Sequence, residues 1–389
     1  GGGSPILRGF EANRVVIMVD GVRLNNAIFR GGHLQNIIRI DQNILANAEV
    51  LYGPGSVMYG SDAMGGVMSL NTRNPLLNNT SKKLLVKNEF YTRTSSANSE
   101  LTYHYNLNIG AKKWASFTAI THSNFGNVVS GKNRDLAWGN VGLRPTFIKT
   151  INGVDQLVTN PNKYEQVESN YKQTDFIQKL LYTPSVNTQH ILNIQYSTTS
   201  NVPRYDRLTD LTSTGSLASA AWYYGPEKRL LMAYSISSTR SKKWFDSYKI
   251  TPAYQQIEES RHNRSSGSAW LNSRIEKVNV SSLNIDLFKR IKKHQLHYGI
   301  DGQYNTVSST AFRTNINTAE QQNISTRYPA GGSNYAFGAL FLSHSINLTN
   351  RWLINDGIRF TSIYSDAKFG QSTQYYPFLP ASTTQKNTA

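Results

Sequence analysis

Leu101-Thr102-Tyr103-His104-Tyr105-Asn106-Leu107-Asn108-Ile109 carries an apolar or aromatic side chain at every odd position and a polar one at every even position. Side chains of a β-strand point alternately to opposite faces, so this stretch is a strand with one greasy and one strongly polar side. The same grammar returns in Leu192-Asn193-Ile194-Gln195-Tyr196, in Leu283-Asn284-Ile285-Asp286-Leu287, and from Leu296 to Tyr304, where Gly302 interrupts the apolar face. It begins near Lys82 and gives about eleven strand segments: 82–94, 98–110, 113–123, 170–183, 188–200, 228–240, 243–262, 274–291, 294–310, 333–347 and 351–365.

The connections between these segments are uneven. Tight ones fall near 111–112, 184–187, 241–242, 292–293 and 348–350, whereas 124–169, 201–227 and 311–332 are long and rich in Asn, Ser, Thr, Gly and Pro. Short turns at one end and long loops at the other are the pattern of barrels that cross an outer membrane. A soluble sandwich also alternates, but its connections are evenly short.

Charge falls into the same frame. Lys and Arg number 41 against 24 Asp and Glu, a net charge of +17, which calls for an anionic partner such as nucleic acid or a lipid surface. Lys82-Lys83, Lys112-Lys113, Lys242-Lys243, Arg290 with Lys292-Lys293, and Arg351 gather at the short-turn end. Trp114, Trp244 and Trp352 follow at once, as the first residues of strands leaving that end. Rings at headgroup level and lysines reaching phosphates make a membrane-interface girdle. A nucleic-acid surface would gather its basic residues on one face with interleaved aromatics, so lipid is the expected partner and nucleic acid is not.

No apolar run approaches the ~20 residues of a spanning helix. The negative mean hydropathy does not count against a barrel, because only alternate strand residues face lipid. Asp356 is a misfit: it shares the expected lipid face with Trp352, Ile354, Ile358 and Phe360, which calls for a bulge or a different register there.

Residues 1–80 read differently. Arg14-Val15-Val16-Ile17-Met18-Val19 is a strand covered on both faces, and Asp20-Gly21 turns the chain. Glu49 to Tyr52 is a second strand, Ser56 caps a brief helix that Gly65-Gly66 ends, and Val67 to Thr72 is a third strand. This is a small α/β unit, which divides the chain into 1–80 and 81–389.

Catalytic patterns are absent from the sequence. Gly53-Pro54-Gly55-Ser56 lacks the Gly-Lys-Ser/Thr of a phosphate loop, and there is no Gly-x-Ser-x-Gly elbow or His-Glu-x-x-His. With no cysteine, disulfides, Cys-ligated zinc and thiol nucleophiles are excluded. His294 and His297 are three apart on a strand and face opposite ways, so they cannot share a metal. The expectation is a protein that is not an enzyme, with no metal site and no resident cofactor.

Arg8-Gly9-Phe10, Val19-Asp20-Gly21-Val22-Arg23, Glu49-Val50 with Tyr52-Gly53-Pro54-Gly55-Ser56, Tyr59-Gly60-Ser61-Asp62-Ala63 and Gly65-Gly66-Val67 together resemble the plug of TonB-dependent receptors. The resemblance implies an all-β membrane protein: a partial antiparallel transmembrane β-barrel, about eleven of roughly 22 strands, with a small α/β plug in its lumen. Residues 1–80 are then the C-terminal part of the plug, and 81–389 the N-terminal half of the barrel. The family implies the outer membrane of a Gram-negative bacterium, with its lipid and lipopolysaccharide around the wall. It also implies TonB, with ExbB and ExbD, acting through a segment ahead of the residues given.

Within the family, Gly31-Gly32-His33-Leu34-Gln35-Asn36 resembles the Gly-His-Leu stretch of haem receptors, and Val202 to Leu208 with Tyr224-Gly225-Pro226 resemble that branch too. His33 is then the candidate haem ligand, and haem or a haem protein the substrate. A ferric siderophore or another large nutrient is the alternative, and a passive porin or surface adhesin a more distant one. The plug charges Arg8, Arg14, Asp20, Arg23, Glu49, Asp62 and Arg73 are expected to act as a lock against the barrel wall.

Overall fold

Each peptide group of a strand needs a partner, and from Leu85 onward the strands find theirs in one another. The computed structural model describes residues 5–29, 37, 39–52, 55–79, 83–133, 135, 137, 139–349, 351–369 and 382–388. Four short strands build the first unit: β1 (Val15–Val19), β2 (Val22–Arg23), β3 (Leu45–Leu51) and β4 (Gly66–Thr72). Then come β5 (Leu85–Ser95), β6 (Glu100–Gly110) and β7 (Trp114–Phe125). The loop after β7 holds β8 (Val128–Val129), β9 (Thr146–Ile151), β10 (Val154–Thr159) and β11 (Glu165–Gln166).

The wall continues with β12 (Tyr171–Ser185) and β13 (Thr188–Thr199), and a second loop carries β14 (Val202–Pro203) and β15 (Ser219–Tyr224). Next are β16 (Lys228–Ser238), β17 (Ser247–Ser265), β18 (Trp270–Ile291) and β19 (His294–Asn315), with β20 (Gln321–Asn323) in a third loop. β21 (Ser333–Asn347), β22 (Leu353–Lys368) and β23 (Ser382–Thr388) complete the described strands. The wall runs β23-β22-β21-β19-β18-β17-β16-β13-β12-β7-β6-β5 as one antiparallel sheet that, among the described residues, does not close on itself.

This wall is sorted the opposite way from a soluble domain. Tyr103, Tyr105, Ile120, Leu180, Tyr196, Met232, Ile300, Tyr304, Leu340 and Phe360 lie exposed on its convex side. Thr102, His104, Asn106, Lys179, Asn193, Gln195, Gln255, Glu259, Gln303 and Asn305 are buried on the other. An apolar exterior around a polar interior is the arrangement a hydrocarbon surround and a wet lumen impose.

The described residues between 15 and 72 fill that lumen. Their sheet has the order β2-β1-β4-β3, with β1 and β4 parallel and the outer pairs antiparallel. β1 is buried along its whole length, as its unbroken β-branched run requires. Ile17, Val19, Val22 and Leu70 pack on Leu231, Ala233 and Ala253 of the wall, and Ile44 packs on Phe117, Ala119 and Ile177. Gly110 is needed where the plug leaves the lumen, since a Cβ there would lie 2.1 Å from the Leu76 carbonyl oxygen. The Asn108 side chain bonds both the N–H and the C=O of Leu76 at that crossing.

The structure corrects several sequence expectations. The helix of the first unit runs Ser56–Tyr59 with Gly55, not Ser56, at its N-cap, and Gly60 ends it. Trp244 lies in the connection between β16 and β17, and Trp352 just ahead of β22, neither in a strand, because β17 starts only at Ser247 and β22 at Leu353. That connection spans 239–246, and Asp246 organises it by accepting from Ser241 Oγ, Lys289 Nζ and the Arg290 N–H. The segment after 365 holds a further strand, β23, paired with β22 across Ser362–Lys368. At Asp356 no bulge intervenes: β21 and β22 keep one register from Ser333–Ala367 to Asn347–Leu353, and Asp356 stays on the outer face beside His344.

The inverted sorting gives a direct expectation. Ile300→Arg, on the outer face of β19, will destabilise the protein refolded into vesicles by about 2–4 kcal/mol in a denaturant titration. An unchanged midpoint would mean that this face does not meet hydrocarbon.

Candidate functional site: the plug–lumen interface

Asp20 lies at the tight turn joining β1 to β2, held at a positive φ of 52° with Gly21 at 85°. The turn pushes its carboxylate against the wall. There it accepts from Thr72 N–H at 2.9 Å, Thr72 Oγ1 at 2.7 Å, Asn193 Nδ2 at 2.8 Å and Gln195 Nε2 at 3.1 Å. Lys179 Nζ of β12 stands 3.2 Å away and also donates to Asn74 Oδ1. Lysine and carboxylate are removed from water together, which is tolerable only with this many donors.

Arg23 makes the second tie. Its guanidinium stands 3.4 Å from Asp62 of the plug and 3.3 Å from Asp301 of β19, and it lies over the Phe337 ring. Arg359 of β22 reaches Asp301 from the other side at 2.8 Å. Both arginines also cap the short helix Ser56–Tyr59: Arg23 donates to the Tyr59 carbonyl at 2.5 Å and Arg359 to the Met58 carbonyl at 2.9 Å. Carbonyls at a helix end have no partner within the helix, and guanidinium N–H groups supply one. Burial pushes the Asp62 carboxyl above its ordinary value, and Arg23 offsets part of that.

Arg39 makes a third tie that sequence reading missed. Buried in the plug, it donates to Glu259 of β17 and stands 3.7 Å from Glu227. The available signal was a lone cation between Ile38 and Ile40, an arginine set in an apolar run. Arg73 pairs with Glu89 of β5 at 2.9 Å, in a more open setting.

The remaining expected lock residues fall elsewhere. Arg8 lies over the Tyr52 ring, 4.8 Å from its centre, and Glu49 is exposed with no ion pair among the described residues. His33 lies outside the described residues.

Above the Arg23 tie is a cavity of about 400 Å³ between plug and wall, edged by Asn26, Phe29, Asp62, Tyr328, Tyr335 and Phe337. Higher still, the two loop motifs read as haem-receptor-like meet each other. β14 pairs with β15, and Arg204 and Arg261 both donate to the Tyr224 hydroxyl, at 2.7 and 3.2 Å. Both guanidiniums lie over the Trp222 ring, 5.1 and 5.0 Å from its centre. The Arg204 fork holds the Asp206 carboxyl below its ordinary value.

At the short-turn end, Trp114 stacks on Tyr182 at 4.0 Å, and the row continues through His190 to Tyr234. Trp244 and Trp352 are exposed, as are Lys112, Lys113, Lys242 and Lys243, and Lys243 Nζ stands over the Trp244 ring.

A polar-lined barrel wall with an ion-paired α/β unit seated in its lumen defines a plugged outer-membrane-type barrel. The TonB-dependent Receptor Plug Domain family model matches residues 1–67. Vitamin B12 transporter BtuB of Vibrio vulnificus (strain CMCP6) is 45% identical over 69 residues, 18% of this chain and 11% of that protein. Heme/hemopexin utilization protein C of Haemophilus influenzae (strain 86-028NP) is 38% identical over 73 residues, 18% of this chain and 10% of that protein. Among solved structures, copper transporter OprC superposes over 100% of this chain and 53% of its own, with TM-score 0.71 and 12% identity. The Serratia marcescens hemophore receptor HasR superposes over 99% of this chain and 52% of its own, with TM-score 0.63 and 13% identity. The chain thus spans about half the length of the receptors whose fold it shares. Residues 1–67 thus match the plug of TonB-dependent receptors, and the chain as a whole shares the fold of these solved transporters and receptors.

Without Arg23, Asp62 loses its guanidinium, Asp301 keeps only Arg359, and the Tyr59 carbonyl loses its donor. Arg23→Ala will therefore speed hydrogen exchange of the β1 and β4 amides in the receptor. Protection equal to wild type would show that the Arg23–Asp301 tie does not hold the plug.

Proposed function

We propose that the chain belongs to an outer-membrane receptor that imports a scarce iron nutrient, haem, with energy delivered through TonB. The observation that carries this reading is the way the plug is held. Three of its charged groups, Asp20, Arg23 and Arg39, reach the wall through polar, ion-paired contacts. Buried ion pairs contribute little net stability against well-packed apolar contacts, so they hold position without making the seat irreversible. A pull on the plug can exchange them for water in a lumen that is already polar. A passive pore has no use for such a stopper.

The Gly31–Asn36 stretch and the relation to a heme/hemopexin utilization protein support haem as the cargo. His33 is the ligand we assign to it, since a neutral imidazole binds haem iron well. The long loops would take haem or a haem protein from outside, and TonB with ExbB and ExbD would act from the periplasm. Outer-membrane lipid and lipopolysaccharide would meet the apolar wall and its lysine and tryptophan rim. The relation to a vitamin B12 transporter favours a second reading, in which the same machine carries another large nutrient such as a ferric siderophore.

Titrating haem into the complete purified receptor will shift the haem absorption band, and His33→Ala will weaken binding by about tenfold or more, the loss of one axial bond. A spectrum and affinity unchanged by the substitution would remove His33 from the site. Absence of any band shift in the wild type would favour the second cargo.

A further inference from the structure

Asp356 sits on the outer face of β22, in one row with Ile354, Ile358 and Phe360, and its side chain is 61% exposed. Two histidines on adjacent strands join it. His344 of β21 lies directly opposite, with Nδ1 at 3.1 Å from the carboxylate. Its Nε2 is 2.9 Å from Nδ1 of His294, the first residue of β19.

With both imidazoles neutral, the row is satisfied when His294 Nδ1–H donates to His344 Nε2 and His344 Nδ1–H donates to Asp356, which leaves the carboxylate as the only charge. Among the described residues no lysine or arginine stands within ion-pair distance of it. Arg359, three residues on, is committed to Asp301 in the lumen. A tetrahedral metal site does not fit either, because nitrogens 2.9 Å apart are too close for two ligands bonded at about 2.0–2.1 Å in that geometry.

A carboxylate facing lipid is costly without a cation. Asp356 is three residue pairs in from the Asn347–Leu353 pair that closes the turn. At about 3.4 Å per residue and a ~40° strand tilt, that is about 8 Å from the barrel rim, within reach of headgroups. The rim itself is basic, with Arg351, Lys292 and Lys293 exposed beside Trp352.

We propose that the His294–His344–Asp356 row is a binding site for a phospholipid whose headgroup carries a primary ammonium. The ammonium would bring three N–H donors to Asp356, and the lipid phosphate would lie against the basic rim. A trimethylammonium headgroup brings the charge without the donors, and an anionic headgroup brings neither. The proposal rests on the reading that this face meets the bilayer.

The test is native mass spectrometry of the complete receptor released from nanodiscs containing equal phosphatidylethanolamine and phosphatidylcholine. The wild type should retain phosphatidylethanolamine about tenfold over phosphatidylcholine, the worth of one charge-assisted hydrogen bond. Asp356→Asn should abolish the preference. Equal retention by the wild type, or a preference that survives in Asp356→Asn, overturns the site. Should that variant fail to fold, the wild type alone decides with the N-monomethyl and N,N-dimethyl lipids: retention should fall at each methylation, and a flat series overturns the proposal. Failure of the receptor to enter nanodiscs would sink the membrane reading and this site with it, whereas insertion without selection sinks the site alone.

Discussion

A chain in hydrocarbon must bond every peptide group to another strand, and its side chains must then divide between two solvents. The rest of this structure depends on that division. It explains why Lys179, Asn193, Gln195, Gln255 and Asn305 are buried while Phe90, Ile300, Leu340 and Ile358 are exposed. In a soluble domain each of these placements would be a defect. Here they belong to one constraint.

The constraint also sets what can occupy the lumen. A wall lined with amides, hydroxyls and charges offers hydrogen bonds to a domain that presents charges in return, and residues 15–73 do so through Asp20, Arg23, Arg39 and Arg73. Apolar contact is confined to patches, where Ile17 and Val19 meet Leu231 and where Ile28 meets Ile257 and Val278. The patches set the plug's position. The ion pairs fix its orientation against the wall.

Much of the wall was legible in the sequence, because alternation is a local signal. The segments read at 188–200, 294–310 and 333–347 correspond to β13, β19 and β21, with one or both ends shared. The hairpin of β9 and β10 is not legible. Its anchor is the Arg264–Asp155 ion pair, whose members lie 109 residues apart, and no periodicity reports such a contact. The plug ties show the same limit. Asp20 and Arg23 were recognisable as plug charges, but their partners Lys179 and Asp301 are fixed only by strand order and shear. Arg39 was passed over because an arginine between isoleucines reads locally as a break in an apolar face. Asp356 looked like a fault in register because the sequence shows the face a residue takes but not the His344 that stands across from it.

The chain contains no cysteine, so single cysteines can be placed one at a time along 296–305 of β19 in the complete receptor and spin-labelled. Collision with oxygen, which dissolves in hydrocarbon, and with a water-soluble paramagnetic nickel chelate then reports each label's solvent. Labels at 296, 298, 300, 302 and 304 should be open to oxygen and closed to nickel, and those at 297, 299, 301, 303 and 305 should not. Loss of that two-residue period, or nickel reaching both sets equally, would contradict a wall with lipid on one side and a plugged polar lumen on the other.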